Sequence, residues 1–409
     1  MSASKPRSVA IFLDVANLTF RKILGGIVSY ASQRRNWSVY IEEHSPHALA
    51  CPLTKHWDGI IASFDDLRRA EAVRLKIPLV GVGSGYGWYD PTTEIPFVTT
   101  DNTAVARLAA EHLLERGFVH FAYCGFAPTR INGWSRDRAE AFEEAVHRAG
   151  RDCSVHTTET PTPANWSEVH RDLATWLKGL PRPLGLMACN DARACQILEV
   201  CRAVGARVPE EIAVIGVDND ETLCECTDPP LTSVEQGCRR AGYEAAAVLD
   251  QWMAGRKGPG GKLHFGPVGI VSRRSTDIVA TSDPDVTAAL RFIHQHAFEP
   301  IGLSDVLAAT QSPNSTLRRR FKMLVGRTVH EEIQRVRIER AKQLLISTDL
   351  TFRQIARQSG FSSAQYMATV LRQHEGLTPK DYRQQYPQAF PSGHKGSDWG
   401  RGGLPCGDQ

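Results

Sequence analysis

Long apolar runs are missing from this 409-residue sequence. The first of them, Val9-Ala-Ile-Phe-Leu13, stops at Asp14 and follows a polar start, so neither a signal peptide nor a membrane span is available. A cytoplasmic location without a membrane partner is expected. Cysteines at metal-ligand spacing are missing too. Of the ten cysteines, only Cys224 and Cys226 are close, and one intervening residue without a second pair or nearby histidines is poor zinc spacing. Cys189, Cys195 and Cys201 lie six apart along an alanine-rich stretch, the pattern of small buried residues rather than of a disulfide framework. His294 and His296, two apart on a helix, do not face each other. No metal or cofactor is expected. Catalytic machinery is also lacking: no nucleophile with a placed base stands out, and the glycines of residues 81–87 lead into Trp88, Tyr89 and Asp90-Pro91, not into a helix N-terminus that could bind phosphate. A sugar-modifying enzyme with a helical appendage is the reading this excludes, and no catalytic residue is assigned.

What is present fills more than one core. At 45.2 kDa and 42% apolar residues, the chain suffices for two or three. Charge is distributed unevenly. Residues 284–386 hold fifteen Lys/Arg against nine Asp/Glu, a local charge of +6, while the rest of the chain sums to −3. A polyanion partner for one domain only is implied.

From residue 8 onward, short apolar runs alternate with amphipathic helical stretches: strands at 9–13, 38–41, 59–62, 78–82, 120–123, 185–188 and 212–216, and helices at 20–32, 103–116, 137–149, 191–204 and 242–254. This rhythm predicts parallel sheets wrapped by helices, arranged as two doubly wound lobes with a ligand site at the carboxyl ends of the strands. Beyond residue 277 nothing reads as strand. A short linker, 277–283, precedes helices at 285–296, 303–310, 314–325, 328–346, 351–358, 362–374 and 379–385. From 388 to 409 the Gly, Pro and Ser content predicts disorder.

Two segments of this helical part share one plan. In the second, Phe352, Ile355 and Ala356 face a core, Gly360 makes the turn, Phe361 anchors the corner, and Ser362 and Ser363 cap a helix whose Ala364, Gln365 and Thr369 point outward. The first segment has Val306, Leu307, Leu317 and Phe321 inside and Ser315, Arg318 and Arg319 outside. Arg can bind guanine, and Gln adenine, through two parallel hydrogen bonds in the major groove. Ser315, Arg318, Arg319, Ser363, Ala364, Gln365 and Thr369 are therefore the candidate DNA contacts. A helical tail serving only as a solvated interaction domain is the plainer alternative. Phe352-x-x-Ile355-Ala356-x-x-x-Gly360-Phe361, Tyr366, Gly376-Leu-Thr-Pro379 and Tyr382-Arg383 resemble the AraC-type DNA-binding domain, which argues against it. Departures from that family are Gln311 at the usual turn glycine, Ser312 at a usual apolar site, and Thr369 at a position often held by arginine, which shifts the second helix toward phosphate and shape contacts.

In the α/β part, Trp134, Arg138, Asn190-Asp191, Asp218-Asn219 and Gln236 fall just beyond predicted strand ends. A neutral sugar wants this set, since acidic and guanidinium forks match hydroxyls and a flat aromatic covers a sugar's C–H face. Any one of them alone could equally be a loop cap or a surface ion pair. The segments Thr100-Asp101-Asn102, 112–117, Asn190-Asp191 and Val217-Asp218 resemble periplasmic sugar-binding proteins and LacI-type effector domains, with no DNA-binding headpiece expected ahead of Val9. A sensor placed first and an AraC-type reader placed last is similar to the xylose operon regulators, through Phe64-Asp-Asp66, Val80-Gly-Val-Gly83, Asp191-Ala-Arg-Ala194, Val214-Ile-Gly-Val-Asp-Asn219, Arg273-Arg-Ser-Thr-Asp277 and Leu344-Leu-Ile-Ser-Thr348. The resemblance implies a two-lobed periplasmic-binding-protein-like domain (1–276), an AraC-type double helix-turn-helix domain (284–387), and a homodimer that binds promoter DNA, RNA polymerase and D-xylose. It makes Arg21, Trp134, Arg138, Asp191, Asp218 and Gln236 the sugar contacts. Residues 14–20 depart from that family's more polar first loop, which leaves another sugar or polyol open as the effector.

Overall fold

The computed structural model describes residues 6–34, 36–43, 57–63, 77–83, 95–129, 132–256, 261–278, 281, 283–311, 313–348 and 350–385. The chain divides into two compact units, Met1–Ala280 and Thr281–Gln409. Residues 64–66, 84–87, Ser312 and the tail 388–409, all singled out above, lie outside the described residues.

The first unit is built on two six-stranded sheets. The first lobe contains β1 (Arg7–Leu13), β2 (Trp37–Glu43), β3 (Gly59–Ala62), β4 (Leu79–Val82), β5 (Phe97–Thr100) and β11 (Lys262–Phe265), in the order β11-β5-β4-β3-β1-β2, every pair parallel. The second contains β6 (His120–Phe126), β7 (Cys153–Thr158), β8 (Leu184–Ala188), β9 (Ile212–Val217), β10 (Thr232–Glu235) and β12 (Gly269–Val271), in the order β12-β10-β9-β8-β6-β7, with only the β12 edge antiparallel. β3, β4, β8 and β9 are buried along their whole length, as expected of parallel strands covered by helices on both faces. Among the described residues the backbone crosses between lobes three times, after β5, after β10 and after β11.

Two helices seal the first lobe by direct backbone approach. A Cβ added at Gly26, on the helix Leu18–Arg34, would stand 1.9 Å from the Arg239 carbonyl, and one at Gly242, on the helix Cys238–Met253, 1.9 Å from that of Ile23. Only glycine fits at this contact, so the position of the first helix is fixed closely. Around it pack Val9, Ile11, Ile27, Val80, Val98, Ala245 and Leu249, all buried, each such aliphatic burial contributing on the order of 1.5–3 kcal/mol for the larger side chains. Residues 273–276 belong to the second lobe: the Ser275 hydroxyl donates to the Val214 carbonyl at 2.6 Å, and buried His112 pairs with Thr276 at 2.8 Å. Burial first and Arg116 second push His112 down to about 3, so it is neutral there.

The second unit is helical throughout its described residues. Asp283 caps the helix Pro284–His296, accepting from the backbone of Asp285 and Val286. Helices Leu303–Ala308 and Asn314–Val325 bury Val306, Leu317 and Phe321. The helix Val329–Ser347, closed by a Thr328/Glu331 capping box, spans about 28 Å. Its later turns, Ile338, Ala341, Leu344 and Leu345, join Ile355, Ala356, Phe361, Met367, Val370, Leu371 and Tyr382 in one core with the helices Phe352–Gln358, Ala364–Glu375 and Pro379–Gln385. Gly360 is the obligatory turn of the second helix pair. Its φ is +77°, and a Cβ there would meet the Ala297 oxygen at 2.6 Å and the Phe298 Cα at 2.7 Å.

Candidate functional site

Where β6, β8, β9 and β10 end and the backbone crosses between lobes, polar side chains converge. Arg138, only 4% exposed, is the hub. Its Nη2 donates to Gln236 Oε1 at 2.8 Å, its Nε to Asn102 Oδ1 at 3.0 Å and its Nη1 to the Cys189 carbonyl at 2.5 Å. Asn102 and Gln236 each lie at a crossing, so one guanidinium holds two crossings in register. Gln236 also accepts from Thr100 at 2.9 Å and donates to Asp218 Oδ1. The indole of Trp134 lies under the same guanidinium, 4.8 Å from ring centre to Cζ, and meets Phe126 edge-on at 6.3 Å. Behind Phe126 stands the fully buried Arg193, whose Cζ is 4.3 Å from the ring centre and whose Nη2 donates to the Glu159 carbonyl.

Asp191, 1% exposed, is occupied within its own lobe. Its Oδ1 accepts from the Ser233 hydroxyl at 2.6 Å, and its Oδ2 from the Asp220 backbone at 2.8 Å and the Cys224 thiol at 3.5 Å. Burial, and then the nearby Asp218 charge, push its carboxyl up to about 7. Asp218 is half-buried and moves upward for the same first reason, opposed by Arg138. Asn219 accepts from Arg273 at 3.0 Å, through Oδ1. Trp134, Arg138, Asp191, Asp218 and Gln236 thus gather at the carboxyl ends of the second lobe's strands. Arg21 is different: it is exposed, and its Nη1 folds back onto the carbonyls of Val15 and Ala16 at 2.9 and 2.8 Å.

In the second unit Ser315, Arg318 and Arg319 are exposed on the helix Asn314–Val325, and Gln365 and Thr369 on the helix Ala364–Glu375. The two remaining positions are less exposed. Ala364 is half-buried, packed against the core that holds Met367, rather than fully outward. Ser363 is half-buried as N-cap, its hydroxyl accepting from the Tyr366 backbone at 3.1 Å. Behind the first reading helix lies an ionic core. Glu332, 1% exposed, accepts from Arg335 at 2.7 and 3.0 Å, faces His294 at 3.2 Å and lies 2.5 Å from Arg327.

Family profiles match along most of the chain: an N-terminal domain of xylose regulators at residues 8–103, a periplasmic binding protein-like domain at 110–276 and a helix-turn-helix domain at 307–385. The xylose operon regulatory protein of Escherichia coli K12 is 34% identical over 384 residues, covering 93% of this chain and 97% of the relative. The chain belongs to the xylose operon regulatory protein family. Its Haemophilus influenzae member is 33% identical, over 92% of this chain and 97% of its own length. The solved structure of a xylose-binding transcription activator superposes with a TM-score of 0.72 at 32% identity, covering 94% of this chain and all of that one. These relatives are transcription regulators. No helix among the described residues is long and apolar enough to cross a membrane.

Several residues bonded to this group escape sequence reasoning. Thr100 and Asn102 lie within a segment singled out only for its resemblance, and their bonds to Gln236 and Arg138 follow from the lobe crossing. Ser233 is not singled out and Arg273 only as part of a resemblance motif, since each acts on a residue 42 or 54 positions away. Lys22 is the most distant case: its ammonium reaches the second lobe at Glu235, 213 positions on.

Proposed function

We propose that this chain is a D-xylose-dependent activator of xylose-use genes, in which the sugar occupies the cleft between the two lobes and the helical unit binds promoter DNA. One observation carries the reading: a single chain joins a cleft wall of guanidinium, carboxamide, carboxylate and indole groups to exposed Arg-bearing helices, over nearly the whole length of xylose regulators.

In the cleft, the Asp218 carboxylate and Gln236 carboxamide take hydroxyls as donors and acceptors, and the Arg138 fork donates to ring or hydroxyl oxygens. Trp134 covers a C–H face. Asp191, its oxygens already bonded, serves by holding the ends of β9 and β10 rather than by contact. Arg21 reaches the sugar only after leaving its own loop carbonyls. On the DNA, Arg318 and Arg319 read guanine edges, while Ser315, Gln365 and Thr369 add groove or phosphate contacts. Occupancy of the cleft biases lobe closure, closure alters pairing within a homodimer, and pairing sets which half-sites and which face of RNA polymerase the readers meet.

Calorimetry over a panel of pentoses and polyols tests the sensor. D-xylose is expected to bind tightest; tighter binding of another member reassigns the effector, and an entirely silent panel removes the sensor function. In Asp218→Ala the xylose response should vanish, and a retained response places the site elsewhere.

A further inference from the structure

Asp218 and Asn219 both adopt positive φ, +110° and +46°, a region that residues with side chains rarely enter. Such a turn persists only where its surroundings determine it. Within the second lobe the Asp218 N–H donates to the Val234 carbonyl at 3.0 Å and the Asn219 N–H to Ser233 Oγ at 2.9 Å, and a cation from the other lobe adds the bonds to the turn's own carbonyls. Lys22, on the first-lobe helix Leu18–Arg34, donates through Nζ to the Asp218 carbonyl at 2.6 Å, to the Asn219 carbonyl at 3.2 Å and to Glu235 Oε2 at 2.6 Å. An ammonium has three protons, and each has one acceptor here. The lysine cannot drift, because the Gly26 and Gly242 contact locks its helix a turn away. Glu235 is held in turn, accepting from Asn219 Nδ2 at 3.3 Å. The ammonium and carboxylate are mostly shielded, their side chains 17% and 22% exposed.

We propose that Lys22 is a positioning residue for sugar binding: reaching across the cleft, its ammonium clamps the carbonyls of residues 218 and 219 and so aims the Asp218 carboxylate at a sugar hydroxyl while tying the two lobes together. The role rests on the sugar reading above. It assigns the clamping to the two carbonyl bonds, with the Glu235 pair as the anchor of the lysine. A turn released from this clamp relaxes toward ordinary φ, and the carboxylate swings away from its Gln236 partner.

Titration calorimetry of the full chain with D-xylose tests the proposal, with thermal melting by circular dichroism as the check on folding. Lys22→Met, which keeps the stem and loses the ammonium, is expected to weaken binding about tenfold or more. Lys22→Arg, which restores donors and charge, should return the affinity to within about threefold of wild type. Glu235→Gln keeps an acceptor for the lysine and both carbonyl bonds, so it too should stay within about threefold. Lys22→Met binding as wild type does, or Lys22→Arg binding no better than Lys22→Met, overturns the clamp; so does a Glu235→Gln loss as large as that of Lys22→Met, which would assign the effect to the ion pair alone. If Lys22→Met fails to fold, the Lys22→Arg and Glu235→Gln arms decide by the same thresholds. Wild type that binds no pentose overturns the sugar reading and this proposal together, whereas wild-type binding with an indifferent Lys22 overturns this proposal only.

Discussion

Asp191 and Glu332 are equally buried carboxylates, each 1% exposed, and their surroundings move them in opposite directions. Around Asp191 the donors are neutral, a hydroxyl, a backbone N–H and a thiol, and the charge that acts on it is another carboxylate, Asp218. Around Glu332 stand Arg327, Arg335 and His294. Burial alone would raise Glu332 as it raises Asp191, but hydrogen bonds from His294 and Arg335 and the Arg335 charge hold it well below the usual carboxylate range. Burial therefore does not decide the state of a carboxylate; the sign of its neighbours does. In the helical unit the arrangement is one of structure, a satisfied anion joining Arg335 of its own helix to His294 of the helix Pro284–His296 and to Arg327 in the turn before Val329. In the cleft it is one of tension, since Asp191 and Asp218 cannot both ionise freely without a donor-rich partner.

The largest expected effect that sharpens this contrast is in the helical unit. Glu332→Ala leaves two guanidinium groups and an imidazole around an apolar hole, and should remove about 3 kcal/mol of local stability, near the low end for a broken buried pair because the arginines keep some water. Hydrogen exchange along the helix Val329–Ser347 reads it, and unchanged protection would show that the cluster is not structural. Arg319→Ala comes next and tests the opposite case, an exposed cation. It should cost about 1–3 kcal/mol of specific DNA binding if it reads guanine, with melting unmoved; unchanged sequence preference in a binding selection would refute the reading role.

The pH dependence separates the two carboxylates without mutation. Asp191 is raised from 3.8, so its contribution to stability is fully present below that value and is lost as pH climbs through about 7. Glu332 is depressed from 4.5, so its contribution is present above that value and is lost as pH falls below it. Hydrogen exchange between pH 7 and 5 should thus show β9 and β10 gaining protection while the helix Val329–Ser347 holds steady, and parallel changes in both units would break the comparison. The smallest effect belongs to Asp191→Asn. An amide keeps the shape and costs no ionisation, so stability at pH 7 should change by less than about 1 kcal/mol, and a large loss by chemical denaturation would mean that the anion is the required form.

The sequence exposes the α/β rhythm well where strands are central. β3 is read to the residue, and β1, β8 and β9 to within two, because full burial makes them continuous apolar runs. Several edge and crossing elements escape, although the edge strand β2, Trp37–Glu43, is read within two residues. β7, Cys153–Thr158, alternates with polar residues on an exposed edge, and β10, Thr232–Glu235, is marked only by the strand end placed before Gln236, in a polar segment whose Thr232 and Ser233 are buried through partners elsewhere. The helix Trp166–Gly179 is a different omission: Val169, Leu173 and Leu177 recur at helical spacing, so its signal was present. In the helical unit, caps and glycines at Thr328, Thr351, Gly360 and Gly376 mark boundaries that the structure repeats within two residues. For the cleft, the strand-end position of Arg138, Asp191, Asp218 and Gln236 was legible from pattern. That Asp191 bonds Ser233 and the Asp220 backbone, that Arg21 folds on its own loop and that Lys22 reaches the second lobe depend on tertiary neighbours which no local spacing encodes.

Footprinting the full chain on a duplex selected from a random pool, with and without D-xylose at modest ionic strength, tests most directly whether cleft occupancy and DNA engagement are linked. The account predicts protection that tightens or changes its span when the pentose is added. Identical footprints in both conditions, or no protection in either, would contradict it.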